Sequence, residues 1–374
     1  MPFLFLASIL GSLLLPAAGQ ALEKAEPDLK SGAAQAISRG LAFLDGQQKP
    51  EGFWSSREYP GLTALVVQGY LAAPSAEDRK RPAAAKALAY LRGNAKPDGG
   101  IYHERMGIYN TSICLTALLL AADPADRAII DRAHQYLTGG QTKGAPNPAS
   151  DGGFGYEIGG GKGGGRADLD NTVFALEALK RYRDAQQARE QKVDKDLDWE
   201  AAIGFVSRCQ QLSSHNREPW VSETPEEKGG FVYTPSGEGD RGEGRTLRSY
   251  GTMTYAGLLS FVYADLKAND PRVKAALDWI SRRYTLEENP GQGTQGLYYY
   301  YHMMAKSLTA AGIDELETKN GKKTAWRTEL TRKLLALQKP DGSWANTNGR
   351  WMEKDPNLVT AYCLLALATL HAEL

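Results

Sequence analysis

A short glycine turn recurs along the chain, and its most complete copy, Gln-Lys-Pro-Asp-Gly-Ser-Trp, occupies residues 338–344. Residues 47–54 (Gln-Gln-Lys-Pro-Glu-Gly-Phe-Trp) and 94–101 (Asn-Ala-Lys-Pro-Asp-Gly-Gly-Ile) repeat its Lys-Pro-acid-Gly core. Weaker copies keep the glycine and aromatic positions at 151–156, 228–233 and 291–296. Because regular self-similarity is typical of repeat proteins, the chain is predicted to contain about six similar units.

Each turn separates two helix patterns of different character. Before a turn, segments such as residues 83–91 are apolar on one face, as expected of a helix with one side in water. After a turn, segments such as residues 111–120 and 358–367 are apolar on most sides, as expected of a helix surrounded by protein. Pairs such as Asp355-Pro356 mark helix starts, because the carboxylate caps the helix and proline suits its first position.

The two helix types predict an all-α fold, the α/α toroid or (α/α)6 barrel, in which outer helices cover a closed ring of inner helices. An open solenoid of helix hairpins is the alternative, but its turns are short, whereas these are long and rich in glycine. Trp54 and Trp344 are expected to pack over helix ends and hold the fold. The predicted units are approximately 31–73, 76–122, 125–182, 196–266, 270–312 and 324–370, within one domain at 22–374.

The composition indicates a globular protein without a polyanionic partner. The 374 residues include 44 Lys and Arg and 44 Asp and Glu, which leaves no net charge, and 42% are hydrophobic. Since nucleic-acid binding depends on clustered positive charge, no nucleic acid is expected as a partner. Cys114, Cys209 and Cys363 lie in apolar helix patterns and are interpreted as core thiols. Without a Cys-x-x-Cys spacing, no metal and no cofactor is expected.

The N-terminus predicts export. Residues 3–15 are apolar or small, and the small residues at 16–21 suit cleavage, so residues 1–21 are interpreted as a signal peptide. An uncleaved anchor is the alternative, because no Lys or Arg precedes the apolar run. After processing, no segment that spans a bilayer is expected, and the mature protein is expected to be secreted or periplasmic.

The turns resemble those of the prenyltransferase and squalene-cyclase repeat superfamily, in which a Gln-rich helix end precedes Asp-Gly and an aromatic residue, usually Trp. Residues 338–344 match this signature fully, and residues 47–54 match it with Glu51 in place of Asp. The likeness covers nearly the whole mature chain and implies the toroid fold. Protein prenyltransferases of this group hold zinc partly through an Asp-x-Cys pair, which this sequence lacks.

The resemblance also directs attention to the ends of the inner helices. In such a toroid, their N-termini open on one mouth of a central cavity, where polar side chains meet a ligand and the positive helix ends. Tyrosine, threonine and asparagine dominate these positions. The residues predicted to bind a ligand are Tyr109, Asn110, Asn171, Tyr250, Tyr255, Tyr298, Tyr299, His302 and Tyr362.

Residues 168–172, Asp-Leu-Asp-Asn-Thr, are the predicted catalytic segment. They resemble the Asp-x-Asp-Asp-Thr of class II terpene cyclases, whose middle Asp protonates an alkene, although Asn171 stands where that pattern has its last Asp. The resemblance implies Asp170 as the acid and Asp168 as its neighbour. Such chemistry needs a carboxyl kept neutral by burial and aromatic rings that stabilise carbocations. The alternative is that Asp168 or Asp170 caps its helix.

Three functions therefore stay open. The first is an exported protein that binds a small or extended ligand in a tyrosine-rich central cavity, with no catalysis established. The second is an enzyme like the class II terpene cyclases, with Asp170 as general acid. The third is a carbohydrate-active (α/α)6 enzyme with paired carboxylates. The expected partner is accordingly a small-molecule ligand, either isoprenoid-like or a carbohydrate.

Overall fold

The computed structural model describes residues 28–145, 147–158, 166–193, 195–235, 247–318 and 321–374. These residues are mostly helical, and their helices alternate along the chain between an outer and an inner layer. The predicted signal peptide at residues 1–21 lies outside the described residues. Among the helices that are described, none has the length and apolar character required to cross a bilayer.

Twelve of the described helices form the two layers. The outer layer consists of α1 (Leu29–Gln47), α4 (Pro82–Gly93), α6 (Arg127–Gly139), α8 (Trp199–Arg208), α10 (Pro271–Arg283) and α12 (Trp326–Leu337). The inner layer consists of α2 (Pro60–Leu71), α5 (Gly107–Ala121), α7 (Leu169–Gln187), α9 (Gly251–Tyr263), α11 (Leu297–Ala310) and α13 (Pro356–Glu373). A short helix α3 (Ala76–Arg79) precedes α4, and the antiparallel strands β1 (Leu316–Glu317) and β2 (Lys323–Thr324) precede α12.

The inner helices form a closed ring. Each packs against the next in the order α2, α5, α7, α9, α11 and α13, and α13 packs against α2. The outer helices cover this ring, for example α1 against α13 and α4 against α2. The predicted α/α toroid of about six helix hairpins is therefore confirmed, and the contact between α13 and α2 excludes the open solenoid.

Burial follows the two helix patterns of the sequence. The inner helix α13 buries twelve of its eighteen residues, on all sides of the helix. The outer helix α10 buries four of thirteen, Val273, Ala276, Trp279 and Ile280, which lie on one face. The three cysteines are buried and unpaired, as expected of core thiols. Apolar periodicity thus decides which helix enters which layer.

The turn at residues 338–344 fastens the last unit to the first. Gly342 has a φ of +88°, and a Cβ added there would lie 2.5 Å from the carbonyl oxygen of Arg39 in α1. Glycine is the residue that adopts this conformation without steric cost. The side chain of Gln338 donates hydrogen bonds to the carbonyl oxygens of Gly342 and Ala36, each at 2.9 Å. The turn and α1 therefore touch along their backbones.

Equivalent contacts fasten other neighbouring units. Four more turn glycines with positive φ face a carbonyl oxygen of the following outer helix: Gly52, Gly99, Gly152 and Gly229 face those of Lys86, Arg132, Ala201 and Ala275. Three glutamines repeat the paired bonds of Gln338, namely Gln48, Gln141 and Gln210. The same glycine contacts and glutamine hydrogen bonds therefore connect neighbouring outer helices around most of the ring.

A threonine of the inner helix completes the turn. The peptide N–H of Trp344 donates to Oγ1 of Thr360 at 3.1 Å, and its indole N–H donates to the carbonyl oxygen of Leu334 at 2.8 Å. The same backbone-to-threonine bond joins Trp54 to Thr63, Ile101 to Thr111, Phe154 to Thr172 and Phe231 to Thr254. These bonds tie outer helix, turn and inner helix together, so the aromatic turns hold the fold.

We predict that Gly342→Ala destabilises the protein. The new Cβ would collide with the Arg39 carbonyl at an unfavourable φ, so the free energy of unfolding should fall by about 2–4 kcal/mol. The measurement is equilibrium unfolding in urea.

The matched control is Gly46→Ala in α1, where no atom lies within 4 Å of the added Cβ. Because alanine favours helix, this variant should be neutral or more stable by up to about 1 kcal/mol. Equal unfolding midpoints for the two variants would contradict a role for the Gly342 contact in closing the ring.

Candidate functional site

Aromatic rings from four inner helices meet inside the ring. Tyr109 of α5 packs edge-on against Phe174 of α7, with ring centroids 5.6 Å apart, and Phe174 stacks with Tyr299 of α11 at 6.2 Å. Tyr299 lies 5.1 Å from Tyr362 of α13. Since α7 and α11 are separated by α9 in the ring, these contacts cross its interior. We call these four residues the aromatic cluster.

Asp168 is the cap of α7. Its Oδ1 accepts the peptide N–H of Asn171 at 2.8 Å, and its Oδ2 accepts the side-chain amide of Asn171 at 2.8 Å. Burial raises the pKa of Asp168 to about 7, although hydrogen bonds from Asn171 and Tyr233 act in the opposite direction. The capping interpretation therefore applies to the first carboxylate of the segment, and a capping carboxylate is already committed to the fold.

Asp170 lies beside the aromatic cluster instead of capping the helix. Tyr299 donates a hydrogen bond through its Oη to Oδ1 of Asp170 at 2.6 Å, and within the described chain no amide of α7 donates to this carboxyl. The side chain keeps part of its surface accessible. Burial raises the pKa of Asp170 to about 6, while the hydrogen bond from Tyr299 lowers it. Asp170 is thus a carboxyl that takes up its proton at a higher pH than a free aspartate does, and part of its surface can be reached by a ligand.

Two further tyrosines connect this carboxyl pair to the surface. Tyr156 is 39% exposed, and its Oη lies 3.1 Å from Oη of Tyr233. The Tyr233 hydroxyl in turn lies close enough to Asp168 to lower the pKa of that carboxyl. The Tyr156 ring also lies 6.3 Å from that of Tyr109 in the aromatic cluster. Hydroxyl groups therefore lead from solvent to the carboxyl pair.

A buried ion pair crosses the interior on the other side of the aromatic cluster, toward the C-terminal ends of the inner helices. Glu177 of α7 is hydrogen-bonded to Nζ of Lys306 in α11, and it accepts from Nε of Arg181 at 3.1 Å. Burial opposes ionisation of Glu177, but the charges of Lys306 and Arg181 outweigh it and lower the pKa of this carboxyl to about 2. Seven residues separate Asp170 from Glu177, a rise of about 10 Å along α7. The ion pair therefore lies about 10 Å beyond Asp170 along α7.

His302 lies between the aromatic cluster and the ion pair. Its ring stacks on Tyr362 with centroids 5.8 Å apart and lies 6.3 Å from Tyr299. Its side chain is 3% exposed, and its Nδ1 has no hydrogen-bond partner among the described residues. Burial and the charge of Lys306 lower the pKa of His302 to about 3, against the opposing charge of Glu177. The imidazole is therefore neutral at physiological pH.

Five of the predicted site residues come together in this interior: Tyr109, Asp170, Tyr299, His302 and Tyr362. The two predicted asparagines have structural partners nearby. Asn110 accepts the N–H of Gly61 at 2.9 Å, which caps α2, and its amide donates to the carbonyl oxygens of Arg105 and Met106. Asn171 donates to Asp168.

The other predicted tyrosines lie outside the aromatic cluster. Tyr255 packs against Tyr300 with centroids 5.5 Å apart, and Tyr298 packs against Tyr301 at 5.8 Å. Tyr250 precedes α9, where its peptide N–H donates to the carbonyl oxygen of Phe231. Successive residues of a helix point about 100° apart, so one tyrosine of the run at 298–301 enters the cluster while its neighbours pack between helices.

Phe174, Glu177 and Lys306 belong to this interior but are absent from the sequence-based selection. The spacing of these residues along their helices could have identified them. Phe174 and Glu177 follow Asp170 by four and seven residues, and Lys306 follows Tyr299 by seven, so each falls on the same helix face as a predicted site residue. Extending each candidate along its own face would have found all three.

One group of potential metal ligands occurs among the described residues. Glu58, His103 and Glu104 place ligand atoms within 4.8 Å of one another. The two carboxylates lie 3.8 and 4.0 Å from Nδ1 of His103, which are ion-pair distances, and Glu104 is exposed. Metal-bound ligand atoms lie about 2 Å from the ion, and these three residues show no further feature that favours one.

We predict that Tyr299→Phe raises the pKa of Asp170. The variant removes a hydrogen bond that favours the carboxylate, which should raise the pKa by about one to two units. Infrared difference spectroscopy of the carboxyl stretch, assigned with Asp170→Asn, measures the titration. Tyr298→Phe is the control, because the Tyr298 ring packs on Tyr301 and should leave the titration unchanged. An unchanged pKa in Tyr299→Phe would contradict the assigned bond.

Comparisons with known proteins find similarity at the level of structure. No family model matches the chain, and no curated protein matches it in sequence. The structure is similar to that of the type II terpene cyclase MstE from Scytonema, with a TM-score of 0.55 and 13% identity over 93% of this chain and 100% of the cyclase. The same cyclase in complex with geranylgeranyl dihydroxybenzoate, its substrate, gives a TM-score of 0.53 at 13% identity, covering 92% of this chain and 99% of that one.

Carbohydrate-active enzymes are similar as well. A GH76 α-mannanase from Bacteroides thetaiotaomicron has a TM-score of 0.59 and 12% identity, over 91% of this chain and 98% of the mannanase. Similarity at 12–13% identity establishes a common architecture and leaves the chemistry to the site. The chain therefore shares the α/α toroid fold of these two groups of proteins.

Proposed function

We propose that this protein binds an isoprenoid-like ligand inside the ring and protonates one of its double bonds from Asp170. The observation that carries the proposal is the position of the Asp170 carboxyl, which accepts a hydrogen bond from Tyr299 within the aromatic cluster. Asp168, its neighbour, performs the capping that would otherwise account for a carboxylate at this helix end. Asp170 is therefore the carboxyl available for chemistry.

The environment of Asp170 suits a general acid. Burial raises its pKa to about 6, so the protonated form predominates in mildly acidic solution and is a minor fraction at neutral pH. Once the proton leaves, the Tyr299 hydroxyl stabilises the carboxylate that remains, because hydrogen bonds to a charged acceptor are stronger than those to a neutral one. Burial thus favours the protonated acid, and the hydrogen bond from the tyrosine eases release of the proton.

The aromatic cluster suits the cation that protonation creates. Ring faces attract positive charge, and the attraction is stronger where water is excluded. Tyr109, Phe174, Tyr299 and Tyr362 lie next to one another around the acid and offer several faces within one small space. A space lined mainly by rings would also keep water away from a reactive intermediate.

A proton must return to Asp170 after each cycle. Tyr156, Tyr233 and Asp168 offer hydroxyl and carboxyl groups between solvent and the buried carboxyl. Asp168 interacts electrostatically with Asp170, so the two carboxyls titrate as a pair. These groups support the proposal because they let the acid recover its proton while the ligand site stays enclosed.

The structural similarity supports the same proposal. The terpene cyclase is matched along 99–100% of its length, so a single toroid of this size is sufficient for a protein of that activity. We further propose that residues 22–374 form one exported domain, which the predicted signal peptide supports.

A carbohydrate-active enzyme is the second candidate. Two carboxyls with raised pKa, the buried Asp168 and the partly accessible Asp170, lie close to the tyrosines of the interior, and an acid beside a second carboxylate is what glycoside hydrolysis requires. The similarity to an α-mannanase supports this candidate. Asp168 argues against it, since its two oxygens are already bonded to Asn171.

We predict that Asp170→Asn abolishes conversion of isoprenoids. The assay incubates purified protein with squalene, a geranylgeranyl-substituted phenol and α-mannan oligosaccharides, and separates the products by gas or liquid chromatography with mass spectrometry. The wild type should yield isomers of an isoprenoid with unchanged mass, and Asp170→Asn should reduce this yield by at least about 100-fold, the scale of a lost general acid.

Asp184→Asn is the matched control, because Asp184 lies on the same helix in an exposed ion pair with Lys180. It should convert substrate as the wild type does. Release of mannose instead of isoprenoid isomers would favour the second candidate. Binding without any conversion would leave a ligand-binding protein and overturn the catalytic proposal.

We also predict that conversion falls as pH rises. A general acid works in its protonated form, and the carboxyl pair titrates between the pKa values of about 6 and 7 given by burial. The rate should be highest near pH 5 and fall about tenfold per unit above about pH 7. A rate that increases across this range would indicate a carboxylate acting as base or nucleophile and would contradict the assigned role.

A further inference from the structure

His302 is a buried polar group without a partner in a place that a ligand would occupy. Its side chain is 3% exposed, its Nδ1 has no hydrogen-bond partner, and no hydrogen bond of its Nε2 occurs among the described residues. Buried polar atoms are nearly always hydrogen-bonded, so an orphaned imidazole calls for an explanation. Its surroundings are the Tyr362 ring, the Tyr299 ring and the ion pair of Glu177 with Lys306.

We infer that His302 is the base that ends the reaction that Asp170 begins. This inference rests on the proposed function. Asp170 transfers its proton to one carbon of a double bond, and the cation forms further bonds within the ligand. His302 then uses a nitrogen lone pair to remove a proton from the carbon next to the final cation, and the electrons of that C–H bond form a new double bond.

The atoms and charges of these reaction steps balance without another reactant. The product is an isomer of the substrate, Asp170 is left as a carboxylate, and His302 is left as an imidazolium. The charge of Glu177 favours the imidazolium, whereas that of Lys306 disfavours it, so the added proton is held weakly and is lost again to solvent when the product leaves. Asp170 recovers its proton from solvent by the path through Asp168.

Other groups of the interior are less suited to this step. Lys306 and Arg181 both donate hydrogen bonds to the Glu177 carboxylate and engage its oxygens, whereas Nδ1 of His302 has no hydrogen-bond partner among the described residues. The phenols of the aromatic cluster are poor proton acceptors. The carboxylate of Asp170 lies where the ligand is first protonated, whereas the last cation forms elsewhere on the ligand.

The order of groups along α11 fits the order of events. Tyr299, which contacts Asp170, and His302 are three residues apart on one helix face, which places His302 about 4.5 Å deeper. The Glu177–Lys306 pair lies about one turn further along α11. A ligand that enters at the N-terminal ends of the inner helices therefore meets the acid first and the imidazole last.

The test compares the products of His302→Gln and His134→Gln. His134 is a matched control, because it is also 3% exposed, has an unpartnered Nε2 and stacks on a tyrosine, Tyr182, at 3.9 Å, but lies on the outer helix α6. Wild type and His134→Gln should form one main alkene isomer. His302→Gln should still consume substrate but lose that isomer as main product, in favour of mixed alkenes or a product that has captured water.

Unchanged products in His302→Gln would overturn the inference, and so would a wild-type product that has itself captured water. Neither outcome touches the role of Asp170. Absence of any wild-type conversion would instead overturn the proposed function.

A second measurement uses wild-type protein and tests the inference even if His302→Gln does not fold. In wild-type protein labelled with 15N-histidine, a tertiary-amine analogue of the isoprenoid should shift the resonances of His302 and leave those of His134 in place. Unmoved His302 resonances with saturating analogue would overturn the inference.

Discussion

A backbone contact between a glycine turn and the next outer helix, repeated at five turns, is the constraint on which the toroid depends. At Gly342 the space for a side chain is already taken by the carbonyl of Arg39, and the backbone takes a φ of +88°. Gln338 then bonds the turn and α1 at the same time. Similar contacts recur around most of the ring and hold the outer helices there, and the inner helices inside them close into a ring.

Closure places the N-termini of the inner helices at one end, and it makes most polar residues there necessary to the fold. Free N–H groups at a helix start require acceptors, and neighbouring units supply them. Asn110 accepts from Gly61 at the start of α2, and Glu353 accepts from Tyr298 and Tyr299 at the start of α11. Asp170 accepts no backbone N–H at a helix start among the described residues. Because Asp170 is not needed to cap a helix, its carboxyl is available for a chemical step.

The interior combines groups whose ionisation depends on one another. Lys306 and Arg181 keep Glu177 ionised despite burial, and the same burial with less compensation raises the pKa of Asp170 and lowers that of His302. Burial thus favours the neutral form of both a carboxyl and an imidazole within the same interior. Low polarity, which would penalise any charged intermediate, is offset by the rings of the aromatic cluster.

Local patterns in the sequence determined much of the fold of this protein. The glycine turns, the two helix types and the six hairpins follow from apolar periodicity and residue chemistry within short segments, which act over a few residues. Asp170 is selected because residues 168–172 resemble a segment of class II terpene cyclases. Tertiary structure decided which carboxylate caps α7, which tyrosine of residues 298–301 enters the interior, and that Glu177 meets Lys306 across it. Those outcomes depend on helix rotation and on contacts between residues more than a hundred positions apart, which closure of the ring creates and no local pattern contains.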